Sequence, residues 1–352
     1  MEQRFYSLSF HGKGVELFKI QIVNLILCIV TLGFYYPWAR AKTLHYLYSQ
    51  SMFEDQPFIF TGTGKEMFKG FIRAIIIVAL LYGIVFSTIY FQPYARIVLV
   101  LIAYAGFFCV IPLALHGTYK YRMSKTLWQG IRFGYLGDFK KLFGIFIGGF
   151  FLTFLTCGIY WPWFSMRIRK YIVENIRMGN AAFKYDGTGN GYFIIVLKMG
   201  VVVFISYFIF ISLLIPIIMH SMRGGDLRGL KNLGWFYLCF LPVAIYYPFY
   251  KKQQFDYFVN HLSLVSNDTS VQFRSTATNI GYIKLLIGNL LIVIFSLGLG
   301  YPWTITRMLN FGASNIEIAG NISFDSLYQE HDEFNDATGS DLFDMLNFGF
   351  SI

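Results

Sequence analysis

Seven apolar stretches dominate this sequence, at roughly 15–36, 72–91, 97–116, 142–161, 193–219, 233–250 and 283–301. Each is about 18–27 residues long, enough to cross a hydrocarbon layer of ~30 Å as a helix. No Asp or Glu stands centrally in any of them. Lys19, Arg73 and Lys198 lie near ends, from which a long side chain reaches the headgroups. Charge content agrees with lipid as the solvent: 14% of the 352 residues are charged, against roughly 25% in soluble domains. These features argue against a secreted disulfide scaffold, a water-soluble enzyme and a disordered chain. Cys28, Cys109, Cys157 and Cys239 each fall inside an apolar run, at no metal-ligand spacing. The opening MEQRFYSLSFHGKG has no charged head followed by an apolar core, so it does not read as a cleavable signal.

The second and third runs are joined by FQPYAR at 91–96, and the fifth and sixth by residues 221–232. Those pairs read as transmembrane hairpins, and the other three runs stand alone. A sentence recurs after the lone runs: GFYYPWARAK at 33–42, GIYWPWFSMR at 158–167 and GLGYPWTITR at 298–307. A related stretch, with Pro-Phe for Pro-Trp, begins at Ile245, and a weaker one spans 111–135. Gly33, Gly158 and Gly298 or Gly300 are expected to end a helix in the left-handed conformation. Pro37, Pro162 and Pro302 are expected to begin the next helix, where the missing N–H does no harm. Trp38, Trp163 and Trp303 follow them as structural anchors suited to the headgroup zone. The next 15 or so residues read as amphipathic arms lying at the membrane interface. Each arm leads into a short alternating segment such as PFIFTG, AFKYDG or VQFRST, and SLSFHG at 7–12 has the same pattern. The fold expected is a mainly α polytopic membrane protein. It has about seven hydrophobic helical segments, interfacial amphipathic arms and short repeated β-strands forming a small sheet at the membrane surface.

Two topologies fit. If all seven runs cross, residues 1–126 and 127–266 become two three-segment halves of opposite orientation, followed by a final unit at 267–324 and an acidic tail at 325–352. Lys and Arg then divide almost evenly between the two sides. If the lone runs dip and return, only Arg96, Arg223, Arg228 and Lys231 lie outside among 29 basic residues. The bias of basic residues toward the cytoplasm favours the second. Residues 325–352 hold seven acids and no Lys or Arg, and read as a solvated tail or a docking segment for a protein partner.

FHGKG at 10–14, TLGFYYPWA at 31–39, the stretch Asn260–Thr276 containing VQFRST, and WQGIRFGY at 128–135 together resemble the YjgN-like family of bacterial inner-membrane proteins. The resemblance implies a multi-pass inner-membrane protein. It carries no catalytic residues, metal or cofactor over to this chain.

No metalloprotease, phosphate-loop or nucleophile-elbow motif occurs, so no enzyme is expected. The basic surplus (+10, with histidines neutral) points to anionic membrane lipids and not to nucleic acid. Three functions compete. A transporter or channel comes first, using the polar breaks Asn24, Thr31, Thr156 and Asn289 as its path. A lipid-binding protein would hold anionic headgroups with Arg40, Lys42, Arg167, Arg169, Lys251 and Lys252. A scaffold or assembly factor would act through the sheet and the tail. Neither the substrate nor the oligomeric state is legible.

Overall fold

The computed structural model describes residues 4–222, 237–266 and 269–321. The order strand, helix, helix, strand occurs in it five times. The first unit contains β1 (Arg4–Tyr6), β2 (Leu8–Phe10), α1 (Gly14–Val30), α2 (Tyr36–Ser49) and β3 (Ser51–Phe53). The second has β4 (Gln56–Phe60), α3 (Gly64–Ser87), α4 (Pro93–Ser124) and β5 (Thr126–Trp128). The third has β6 (Ile131–Tyr135), α5 (Phe139–Leu155), α6 (Trp161–Glu174) and β7 (Ile176–Met178). The fourth has β8 (Ala181–Tyr185), α7 (Gly189–Met222), α8 (Leu241–Asn260) and β9 (Leu262–Ser266). The fifth has β10 (Thr269–Ser275), α9 (Asn279–Phe295), α10 (Tyr301–Ser314) and β11 (Ile316–Gly320). Pro37, Pro112, Pro162, Pro248 and Pro302 each stand 14 residues before the strand that closes their unit.

Local chemistry sets the helix boundaries. Thr63 and Glu66 form a reciprocal capping box at the start of α3, and Asp138 caps α5 through Lys140 N at 2.7 Å. The prolines of α2, α6 and α10 sit in the first turn, as their missing N–H requires. Pro112 and Pro248 instead lie inside the continuous helices α4 and α8. At the far end of each short pair the chain turns through two left-handed residues: Leu32–Gly33, Cys157–Gly158 and Leu297–Gly298. The glycine N–H closes back on the fifth residue before it, Cys28, Thr153 or Val293, at 2.7–2.8 Å. Gly300 starts the next helix and does not end the previous one.

The eleven strands of the described residues form one antiparallel sheet in the order β1-β11-β10-β9-β8-β7-β6-β5-β4-β3-β2. β1 and β2 are two halves of one extended segment, separated by Ser7. Its first half pairs with β11 and its second with β3, so the sheet closes on itself as a barrel. Two-residue turns with positive φ, Glu54–Asp55 and Gln129–Gly130, join β3 to β4 and β5 to β6. The interior is filled with side chains, among them Trp128, Phe53, Phe133, Met178, Leu264 and Val271. Outside it the ten α-helices of the described residues pack in sequence order, and α10 packs against α1 to complete a ring.

The hydrophobic segments expected from the sequence differ in length as helices. Among the described residues, three helical stretches are long and apolar enough to cross a bilayer: Gly64–Tyr90, Pro93–Ser124 and Gly189–Met219. The lone runs become α1, α5 and α9, each 17 residues or about 26 Å long. Each is followed by a return helix that leads back to the same sheet. The expected division at 126/127 runs through β5. The first four residues of the sixth run, 233–236, and all of the acidic tail lie outside the described residues, and the run continues into α8.

Candidate functional site

The return helices carry most of the residues singled out in the sequence, and contacts at both ends fix their position. A Cβ built on Gly64, Gly189 or Gly14 would fall 2.4, 2.2 or 2.4 Å from Cδ1 of Trp38, Trp163 or Trp303. Each of these glycines opens the first helix of the following unit, and only glycine leaves room for the indole. Four residues on, Phe68, Phe193 and Phe18 meet the same indoles with ring centroids 5.0, 4.7 and 5.2 Å away. Trp303, in the last unit, thereby grips the first.

The other end of the return helix holds a tyrosine. Tyr46 Oη accepts from Lys13 N at 2.8 Å and donates to Lys13 O at 3.0 Å. Tyr171 treats Asp138 in the same way at 2.7 and 2.8 Å, and Tyr257 treats Thr188 at 2.8 Å twice. These three residues lead into the first helix of the tyrosine's own unit. An arm therefore reaches from the start of its own unit, through tyrosine, toward the start of the next, through tryptophan. Replacing Tyr171 with Phe removes both bonds while keeping the ring. We expect a loss of about 1–3 kcal/mol, read from the thermal midpoint in detergent. An unchanged midpoint would show that water satisfies the Asp138 backbone equally well.

The basic residues divide by environment. Lys42, Arg167 and Arg307 stand five residues after the repeated prolines and are exposed. Lys42 lies 5.5 Å over the Tyr35 ring and Arg167 5.6 Å over that of Tyr160. Among the described residues no carboxylate pairs with any of these three. Arg40 is half-buried on α2. Lys252 pairs with Asp256 at 2.5 Å, and Lys170 with Glu174 at 3.6 Å. Arg169 and Lys251 are partly buried, the guanidinium 4.5 Å from the Phe258 centroid and the ammonium 5.7 Å from that of Tyr247. Burial pushes the fully covered Tyr185 phenol up to about 12, with Arg169 pulling the other way. Tyr185 is therefore a neutral hydrogen-bonding group at pH 7. Its contribution to stability holds below about pH 10 and is lost as pH rises toward about 12.

The four polar breaks serve mainly within their own hairpins. Asn24 Nδ2 donates to Ala39 O at 3.1 Å, fastening α1 to α2. Thr31 Oγ1 donates to Leu27 O and accepts from Tyr35 N, at 2.7 and 3.0 Å. Thr156 does the same between Leu152 O and Tyr160 N, and Ser296 between Ile292 O and Gly300 N. These hydroxyls close the tip turns. Asn289 is buried in α9, and its amide has no partner among the described residues. The tyrosine clamps and the glycines beneath the tryptophans were not anticipated. Their signal was present as a nine-residue step from Pro37, Pro112, Pro162 and Pro248 to Tyr46, Tyr121, Tyr171 and Tyr257, with Phe311 at the fifth position.

Over residues 5–345 the chain matches a family described as bacterial protein of unknown function, DUF898. It is 24% identical to "Inner membrane protein YjgN" of Salmonella typhimurium strain LT2, over 93% of this chain and 91% of that protein. To the protein of the same name from Escherichia coli O157:H7 it is 23% identical, over 92% and 90%. No solved structure matches it.

Proposed function

We propose, for a chain that belongs to the bacterial DUF898 family, that its arms hold anionic phospholipid at one face of the membrane. It is an inner-membrane protein, with relatives of that name and helices able to span. The observation that carries the reading is the placement of Lys42, Arg167 and Arg307. They are three exposed cations at one position of three arms, with no carboxylate to neutralise them among the described residues. Anionic headgroups attract each such residue by about 1 kcal/mol. We read the five units as copies of one module, so the arms present this charge repeatedly around the ring. The short hairpins then dip into lipid from that face and return. Their tips suit hydrocarbon: Leu32 and Leu297 are 89% and 93% exposed. The tip backbone is tied by the threonine and serine hydroxyls and the glycine N–H, which a turn in lipid needs.

A transporter is less well supported. Trp128 and Val271, 1% and 0% exposed, fill the barrel interior. Asn24, Thr31 and Thr156 bond within their own hairpins, which leaves little of a polar path. The lipid reading requires no catalytic step, cofactor or nucleic acid. A protein partner for the acidic tail would act through residues outside those described. The test is native mass spectrometry of the purified protein with phosphatidylglycerol. The triple variant K42Q/R167Q/R307Q should bind it about ten- to a hundredfold more weakly. Retention equal to the parent would end the proposal.

A further inference from the structure

The three short hairpins share one register, and the last of them breaks it beside its tip. Two residues before the repeated proline stand Tyr35, Tyr160 and Gly300. Tyr35 stacks on Trp38 with ring centroids 6.1 Å apart, and Tyr160 on Trp163 at 5.9 Å. Each of these rings also lies under the cation of its arm, Lys42 or Arg167. Gly300 offers Trp303 and Arg307 no such ring. A slot of about 390 Å³ opens there, lined by Phe18, Ile292, Ser296, Leu299, Gly300 and Trp303. Its size falls within the range of small-ligand sites. Phe18 belongs to α1 and the other walls to α9, α10 and the tip between them, so the slot straddles the seam of the first and last units. The Ser296 hydroxyl is committed to Ile292 O and Gly300 N, which leaves the walls mainly aliphatic and aromatic. One helical turn nearer the sheet, about 6 Å, Arg307 continues the face of α10 that carries Trp303. Gly288 continues the face of α9 that carries Ile292 in the same way. A Cβ built on Gly288 would fall 2.7 Å from Arg307 Nη2, so the guanidinium lies against the α9 backbone at the sheet-side end of the slot. Arg307 is exposed, and no carboxylate pairs with it among the described residues.

We propose that the slot takes one acyl chain of a single phospholipid, whose phosphate sits on Arg307. An apolar channel with a cation at one end is complementary to an amphipathic anion, and the guanidinium fork suits phosphate oxygens. The direction agrees as well: the cation lies on the side of the arms, and the channel runs toward the tip. This rests on the lipid reading of the arms and deepens it, by placing one lipid at one seam. The chain touches both Phe18 and Trp303, the pair that joins the last unit to the first, so the bound lipid stabilises the closed ring.

The other hairpins supply the variant that tests this. A Cβ on Gly300 would fall 2.4 Å from Ile292 Cγ2, a methyl absent from Leu27 and Leu152 at the same register. I292L/G300Y therefore installs the Leu and Tyr pair that the first and third hairpins already carry. The backbone suits it, with φ −77° and ψ 1° at Gly300 against φ −75° and ψ −11° at Tyr35. The full chain, stripped of lipid in a neutral detergent, is titrated with phosphatidylglycerol and followed by native mass spectrometry. The first lipid should bind the parent at least tenfold more tightly than later ones. I292L/G300Y should weaken that first step at least tenfold and leave the later steps as they were. R307Q should weaken it three- to tenfold, and diacylglycerol of the same chains should bind the parent at least tenfold more weakly than phosphatidylglycerol. No separable first step in the parent, a parental first step in I292L/G300Y, or diacylglycerol binding as tightly as phosphatidylglycerol overturns the proposal. So does a dimer of the parent that excludes the first lipid and is lost in I292L/G300Y, which assigns the slot to a second copy of the chain. The arm reading is judged on the later steps with K42Q/R167Q, so the two proposals fail separately. Should I292L/G300Y not fold, Leu299→Trp, at an exposed wall of the slot, decides it on the same criteria.

Discussion

Trp128→Ala lowers the unfolding free energy by about 3–5 kcal/mol, the range for emptying an aromatic site in a packed core. Trp128 is 1% exposed inside the barrel, its ring centroid 5.2 Å from that of Phe53, and its indole N–H donates to Phe53 O at 3.1 Å. Alanine leaves a cavity and removes that bond. Trp128→Phe refills much of the space but not the bond, so its cost should be smaller, about 1–3 kcal/mol. Denaturant titration of the detergent-solubilised protein, followed by tryptophan-independent circular dichroism, orders the two variants. A loss of under about 1 kcal/mol for the alanine variant would mean that the barrel interior is not a main source of stability.

Gly14→Leu should open the ring at the junction of its last and first units, at a cost of about 1–3 kcal/mol from overpacking. The glycine has no room for a side chain, because Cδ1 of Trp303 lies 2.4 Å from where its Cβ would be. The pairing makes the expectation specific. Shrinking the indole in G14L/W303A should recover part of the loss, giving a favourable coupling between two residues distant in sequence. Limited proteolysis provides a second readout, since a parted α10–α1 contact exposes the linker at 11–13. If G14L costs as much in the W303A background as in the parent, so that the two losses simply add, the two residues do not meet.

Some of this architecture was legible because it rests on local chemistry. The Gly-x-Tyr and Pro-Trp steps announced the tips and the arm starts, since a left-handed turn needs glycine and a helix start tolerates proline. The alternating PFIFTG and AFKYDG segments announced strands. Partnership was harder to read, because it is made between units. Nothing near Trp38 in the chain says that Gly64 receives it, and Tyr46 gives no local sign that it clamps Lys13. Hydropathy also overstated the lone runs: the count includes the tip and the first residues of the return helix, so 17-residue helices read as full spans. Asn24 and Thr31 read as a polar path in the sequence, and the structure shows both side chains bonded within the first hairpin, because a polar side chain that ties a helix pair and one that contacts a solute are the same letter in a sequence.

The pairing of β1 with β11 has a consequence for synthesis. The first of these strands leaves the ribosome some 310 residues before the second. At bacterial elongation rates, roughly 15–60 s separate the two events. Throughout that interval residues 4–6 carry open N–H and C=O groups beside a growing assembly whose opposite rim is equally unfinished, as any unpaired edge is. The last-made of the described strands, β11, is therefore the keystone, and a ribosome that stalls before residue 316 releases a chain with two adhesive margins and no means of joining them.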